Sequence, residues 1–130
     1  MRIRTIVSSA AVIGGLLAGP ALAQDGATTF SQSCAACHQP EGQGIPGAFP
    51  ALAKNTFVQG PPDQVAHVIL NGRGGMPKFS GDLSDDQIAA VATYIRSAWG
   101  NKAGPVTPSV VTAERNDGAL PPPSEGQQAH

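Results

Sequence analysis

The clearest helical pattern in the chain lies between residues 84 and 101. Ile88, Val91, Ala92, Ile95 and Trp99 fall at i, i+3, i+4, i+7 and i+11, one apolar face of an α-helix. Ser84-Asp85-Asp86-Gln87 in front of them reads as a capping box, a Ser cap with Gln three residues on. Gly100-Asn101 ends the pattern. A second helix starts at Pro61-Pro62, with Asp63 at its positive end and Val65, Val68 and Ile69 as its apolar face. It stops at Asn71-Gly72. His67 is off that face and reads as a solvated side chain. A third helix is capped by Asp25 and runs from Gly26 to about Ala35. Gly26 and Phe30 share one side of it, and Phe30, Cys34 and Cys37 fall at i, i+4 and i+7.

Between the first and second of these helices in chain order there is little periodicity. Gly42, Gly44, Pro46, Gly47 and Pro50 make residues 39 to about 60 a loop. Every predicted element is a helix, so the fold class is all-α. Beyond Asn101 the character changes. Gly104 to Pro108 is a linker, and Thr107 caps one more short helix with Val111 and Arg115 on one side. The domain is placed at residues 24–101, an extension at 102–115, and a disordered Pro/Gln-rich tail at 116–130.

Composition changes the picture at the start of the chain. Arg2 and Arg4, an apolar stretch from Ile6 to Leu17, and Ala21-Leu22-Ala23 form the three parts of a secretory signal peptide over residues 1–23. The competing reading is an uncleaved membrane anchor. It is the weaker one, because the stretch is shorter than the roughly 20 apolar residues that span a bilayer and Pro20 interrupts it. No later segment is apolar enough to span. Cleavage removes two cations and leaves six Lys and Arg against nine Asp and Glu. A mildly acidic exported domain is no candidate for nucleic-acid binding.

The candidate chemistry sits in Cys34-Ala35-Ala36-Cys37-His38. C-x-x-C-H is an attachment site for c-type haem: two thiols add across the vinyl groups and the histidine becomes the proximal iron ligand. Two other readings remain. A thioredoxin-like C-x-x-C wants a βαβ context, and half a zinc site wants two more ligands. Neither has support from the surrounding sequence, where the remaining histidines are His67 and His130. Export agrees with haem, since a Gram-negative bacterium attaches c-type haem on the periplasmic side. A covalent macrocycle also gives a domain of about 80 residues the apolar centre that it lacks. A metal-bound histidine donates its second N–H to an acceptor, and the carbonyl of Pro50 is the candidate, with Leu52 turned to the porphyrin. Met76, the only methionine after the leader, sits 38 residues beyond His38 in Gly72-Arg73-Gly74-Gly75-Met76-Pro77-Lys78-Phe79. Its thioether suits the opposite face of the iron; the competing reading is a core gap-filler.

CAACH, GQGIPGAFPALA, GGMPKF and a last helix bearing an aromatic together resemble a class I (monohaem, His/Met) cytochrome c. The resemblance covers residues 25 to 101. It implies a small cytochrome c fold, three main helices and loops wrapped around one haem, with Gly26, Phe30, Val91 and Tyr94 at the crossing of the first and last helices. It implies thioethers at Cys34 and Cys37, axial ligands His38 and Met76, the Pro50 carbonyl on the histidine, and Leu52 and Phe79 packed on the haem. FPALAKN, HVILNGRGGMPKF and LSDDQIAAVATYIRSAWGN, with Val106, Val111 and Arg115, are similar to the cytochrome domains of bacterial alcohol and aldehyde dehydrogenase complexes. Those subunits usually carry three C-x-x-C-H motifs, and this chain has one.

The function expected is periplasmic electron transfer by a non-enzymatic carrier cycling between Fe(III) and Fe(II). Its partners are periplasmic redox proteins: a dehydrogenase, a cytochrome complex or a terminal oxidase. The chain is a monomer unless it is a dedicated subunit of a periplasmic dehydrogenase, which is the alternative. A haem enzyme or gas sensor needs an open iron and hence a displaceable Met76. Met76 and a dry pocket favour the ferrous state and predict a positive midpoint potential. Lys54, Arg73 and Lys78 form either a positive docking patch or three ordinary solvated charges, and the two readings stand level.

Overall fold

The computed structural model describes residues 22–119. The expected leader lies outside them except for its last two residues, and so do residues 120–130 of the expected tail. Five helices follow one another: α1 (Leu22–Ser33), α2 (Ala35–His38), α3 (Pro62–Asn71), α4 (Asp85–Ser97) and α5 (Pro108–Ala119). Among the described residues β structure is limited to two isolated bridges, Ile45 with Phe49 and Arg73 with Met76.

The capping box of α4 forms as the sequence predicts. The Gln87 amide donates to Ser84 Oγ at 3.2 Å, and the Ser84 amide donates to Gln87 Oε1 at 3.0 Å. Ile88, Val91, Ala92 and Ile95 are all buried. α1 lies across this face. A Cβ at Gly26 would meet the Ala90 carbonyl and the Tyr94 Cβ, so glycine is what lets the two backbones meet. Phe30 fills the crossing, 5.8 Å from the Tyr94 ring and 4.8 Å from the Trp99 ring, centroid to centroid. The glycine–aromatic contact implied by the resemblance is present.

Several local expectations need correction. α1 begins at Leu22, so Asp25 lies in its first turn and does not cap it. The helix also breaks at Cys34 (φ −120°, ψ −35°) and restarts as α2. The break loses few hydrogen bonds, because the Cys34 amide still donates to Phe30 O at 2.9 Å and the His38 amide to Cys34 O at 3.0 Å. On α3 the buried face is Val65, Ala66, Ile69 and Leu70, and Val68 is half-exposed. α4 stops at Ser97, and Trp99 lies beyond it in the left-handed region (φ 51°). That conformation costs about 1–2 kcal/mol. It lays the indole between Phe30, Tyr94 and Gly42, and aromatic contacts worth about 0.5–1.5 kcal/mol each offset the cost. Gly42 (φ 63°) makes room, since a Cβ there would lie 2.5 Å from the indole ring.

α5 packs across both α3 and α4. Val111 is fully buried, and Thr107 Oγ1 accepts from the Val110 amide at 3.4 Å. The helix continues to Ala119, so residues 116–119 are helical where composition placed the tail. Docking sustains a sequence of weak intrinsic propensity.

Candidate haem-binding site

The C-x-x-C-H motif occupies the bend between α1 and α2. Cys34 is half-buried and Cys37 exposed, so the face predicted for Phe30, Cys34 and Cys37 runs from core to surface. Burial, with a smaller contribution from Cys37, pushes the Cys34 thiol up to about 11. It is therefore protonated at neutral pH in the unmodified chain.

His38 ends α2 and is 9 % exposed. Its Nδ1 lies 2.9 Å from the Pro50 carbonyl oxygen. A carbonyl can only accept, so Nδ1 carries a proton, and the tautomer this bond selects for a neutral ring has its lone pair on Nε2. The loop that brings Pro50 there is held at several points. The Gly44 amide donates to His38 O at 2.9 Å, and Ile45 and Phe49 exchange hydrogen bonds of 2.9 and 2.8 Å. The Leu52 and Ala53 amides both donate to Gly42 O, at 2.7 and 3.0 Å.

Two residues not singled out by the sequence lock this loop to α4. Asn101 is 3 % exposed. Its Nδ2 donates to Leu52 O at 2.9 Å and Ile95 O at 2.8 Å, while its Oδ1 accepts from the Asn55 amide at 3.1 Å. Arg96 is 4 % exposed and donates to three carbonyls, Val58 at 2.8 Å, Gly60 at 2.7 Å and Gly104 at 2.8 Å. A signal for Arg96 existed: it stands at i+4 from Ala92 and i+7 from Ala89, both buried. Nothing in the sequence marks Asn101 as more than a helix end.

Met76 closes a tight turn on the end of α3. The Gly72 amide caps α3 through Val68 O at 2.8 Å. Arg73 and Met76 then pair, with N···O distances of 3.0 and 3.3 Å, and the Phe79 amide donates to Ile69 O at 3.0 Å. Cys34, Ala35, Leu52, Phe57, Met76 and Phe79 are half-buried side chains packed against the same core. Each keeps part of its apolar surface uncovered, as side chains that pack on a haem would. The donors match as well: a free imidazole nitrogen, a soft thioether and two thiols suit a haem iron and its vinyl groups. Ile45 and Phe49, in the loop before Pro50, are large apolar side chains left 42 % and 40 % exposed.

The remaining candidates are placed differently. His67 is not simply solvated, because its Nδ1 sits 3.1 Å from Glu114 Oε2 of α5. Arg73 lies over the Phe57 ring, 5.1 Å from its centroid. Lys54 and Lys78 are exposed.

Residues 21–95 match the family model described as cytochrome c oxidase, cbb3-type, subunit III. The chain is 42 % identical to cytochrome c-552 of Thermus thermophilus, over 66 % of this chain and 68 % of that protein. It is 44 % identical to cytochrome c6 of Leptolyngbya boryana, over 54 % of this chain and 85 % of that protein. It is 39 % identical to the cytochrome c subunit of the quinone alcohol dehydrogenase of Gluconacetobacter polyoxogenes, over 80 % of this chain and 25 % of that subunit. The chain thus spans about a quarter of the length of such a dehydrogenase subunit.

Proposed function

The chain belongs to the cytochrome c family, and from that premise we propose that it is a periplasmic one-electron carrier with its haem held by Cys34, Cys37, His38 and Met76. The haem supplies an Fe(III)/Fe(II) couple. The chain's own residues do the rest. Cys34 and Cys37 would hold the porphyrin by thioethers. His38 would offer Nε2 to the iron, and the Pro50 carbonyl orients the imidazole. Met76 would supply a thioether as the second protein ligand and keep external ligands out. Leu52 and Phe79 would pack on the haem and exclude water, which would raise the cost of the ferric charge and with it the potential.

The observation that carries this reading is the His38–Pro50 hydrogen bond of 2.9 Å. It commits Nδ1 to the carbonyl and leaves Nε2 as the imidazole nitrogen that an iron can use. The test is the visible spectrum of the protein matured in a periplasm, oxidised and reduced. A sharp reduced α-band and a weak red band in the oxidised form are the expected result. Haem without the red band removes Met76 from the iron, and a colourless protein ends the reading. A midpoint potential well below zero also refutes the His/Met pair.

A second reading is favoured by the 39 % identity to a dehydrogenase cytochrome subunit across 80 % of this chain. In it, the same haem accepts electrons from one dedicated periplasmic dehydrogenase. Stable co-purification with a large catalytic subunit supports it, and a free monomer in every fraction refutes it.

A further inference from the structure

The matched family region ends at residue 95, and α5 lies wholly beyond it. The structure nevertheless ties α5 to the segment that follows Met76. Arg115 points its guanidinium away from its own helix and divides it three ways. Nε donates to Asp85 Oδ1 at 2.7 Å, Nη1 to the Ser80 carbonyl at 2.5 Å and Nη2 to the Leu83 carbonyl at 3.1 Å. Thr112, one turn earlier on α5, donates its hydroxyl to Asp85 Oδ2. Thr112 thus steadies the carboxylate that pairs with Nε, and the guanidinium holds two backbone carbonyls of one short segment.

That segment decides where Met76 can go. Upstream, the turn hangs from the end of α3 through the Gly72 amide. Residues 73–75 are exposed, and a Cβ at Gly74 or Gly75 would touch nothing, so the lateral contact there is the Arg73 guanidinium over the Phe57 ring. Downstream, Phe79 is held to Ile69, and Leu83 to Phe79, by hydrogen bonds of 3.0 Å each. Ser80 and Leu83, the residues Arg115 grips, flank the stretch that enters α4. α5 is itself fixed to α3 by the His67–Glu114 contact at 3.1 Å and to the core by Val111.

We propose that Arg115 is a positioning residue for Met76: by clamping the Ser80 and Leu83 carbonyls to Asp85, α5 keeps the Met76 turn closed against the site. The proposal rests on Met76 being the axial ligand. Losing the clamp frees the turn to open without unfolding the α1–α4 pair, and Met76 then leaves the iron more often.

The experiment measures imidazole binding to the oxidised holoprotein, whose rate is limited by departure of Met76, alongside amide exchange at Phe79 and Leu83. Arg115→Ala accelerates binding about tenfold, the scale of one charge-assisted hydrogen bond, and speeds exchange at both amides. Arg115→Lys recovers part of the loss, because one ammonium pairs with Asp85 but does not span both carbonyls. Val111→Ala weakens the same helix through its apolar face and leaves the Arg115 contacts in place. At a temperature where every variant is folded, it keeps the rate within about twofold of wild type. Equal acceleration in Val111→Ala and Arg115→Ala overturns the proposal, since helix docking alone then explains the effect. An Arg115→Ala rate equal to wild type overturns it too. A wild type without the red band refutes Met76 as ligand, whereas a normal red band with unmoved rates refutes only the role of Arg115.

Discussion

Asn101→Ala removes one side chain that serves three backbone groups. The carbonyls of Leu52 and Ile95 lose their donor, and the Asn55 amide loses its acceptor. A buried group left unpaired costs about 1–3 kcal/mol. The bonds to Leu52 and Asn55 are only partly buried, so water recovers some of the loss there, and the low end applies to each. The expected total is about 3 kcal/mol, a large share of the roughly 5–15 kcal/mol that holds a domain folded. With a urea slope of about 1–3 kcal/mol per molar, the midpoint falls by at least about 1 M. Asn101→Asp sharpens the test. It is almost the same shape and keeps the acceptor for Asn55, but it turns a carboxylate toward two carbonyls. At pH 7 it is less stable than the alanine variant, and below about pH 4, where the carboxyl protonates and regains a donor, it recovers. Urea unfolding of the holoprotein, followed by haem absorbance, reads both variants. An alanine variant within about 0.5 kcal/mol of wild type, or an aspartate variant as stable as asparagine, refutes the reasoning.

Met76→Ala abolishes the red band, lowers the midpoint potential and admits carbon monoxide rapidly to the reduced protein; a wild type that already binds it fast contradicts the closed site. Asp85 is held below the ordinary value of 3.8 by the Thr112 hydroxyl and then by Arg115. Its contribution to stability is complete above that value and lost as pH falls through the lowered one, so thermal melts of wild type and Asp85→Asn converge in acid and separate at neutral pH. Gly42→Ala destabilises by about 2 kcal/mol or more, because it adds a Cβ at φ 63° where the indole of Trp99 lies; a calorimetric melt unchanged from wild type contradicts the packing described.

The helices were legible because each carries a signal that acts locally. Ser84 and Gln87 write a cap into four residues, and Ile88 to Ile95 repeat at the helical period whatever surrounds them. The Pro50 partner of His38 was legible for a different reason: a metal-bound imidazole needs an acceptor, and the loop following the motif offers its carbonyls. What stayed hidden depends on distant chain. Trp99 leaves the helical period because Phe30 and Gly42, far back in sequence, make a better site for an indole than the helix face does. Asn101, read as a helix end, is instead a tie whose partners are Leu52 and Asn55. Arg115 looked like one member of a helix face, and its partners at Ser80, Leu83 and Asp85 come together only after α5 has docked.

These hidden ties have a common placement that bears on electron transfer. The α1–α4 crossing is secured by close-packed apolar side chains. The segments that carry the partner of His38 and the proposed thioether ligand add fewer apolar anchors, Val58, Leu52 and Phe57 in the first and Met76, Phe79 and Leu83 in the second. Residues 39–60 carry Pro50 to His38 through turns, and residues 72–83 carry Met76 through an exposed bend. Each is also held by side chains that donate into its carbonyls: Asn101 and Arg96 for the first, Arg115 for the second. A polar tie is directional where an apolar contact is not, so it fixes the backbone in one position. Iron that changes charge without changing ligand distances transfers electrons with little rearrangement, and rigid ligand-bearing loops are the condition for that. If the ties serve this purpose, weakening them acts on ligand exchange and electron-transfer rate before it acts on helix content. Circular dichroism that stays helical in Asn101→Ala and Arg115→Ala while the self-exchange rate falls is the expected result. Parallel loss of both signals instead makes these residues part of the general stability of the fold.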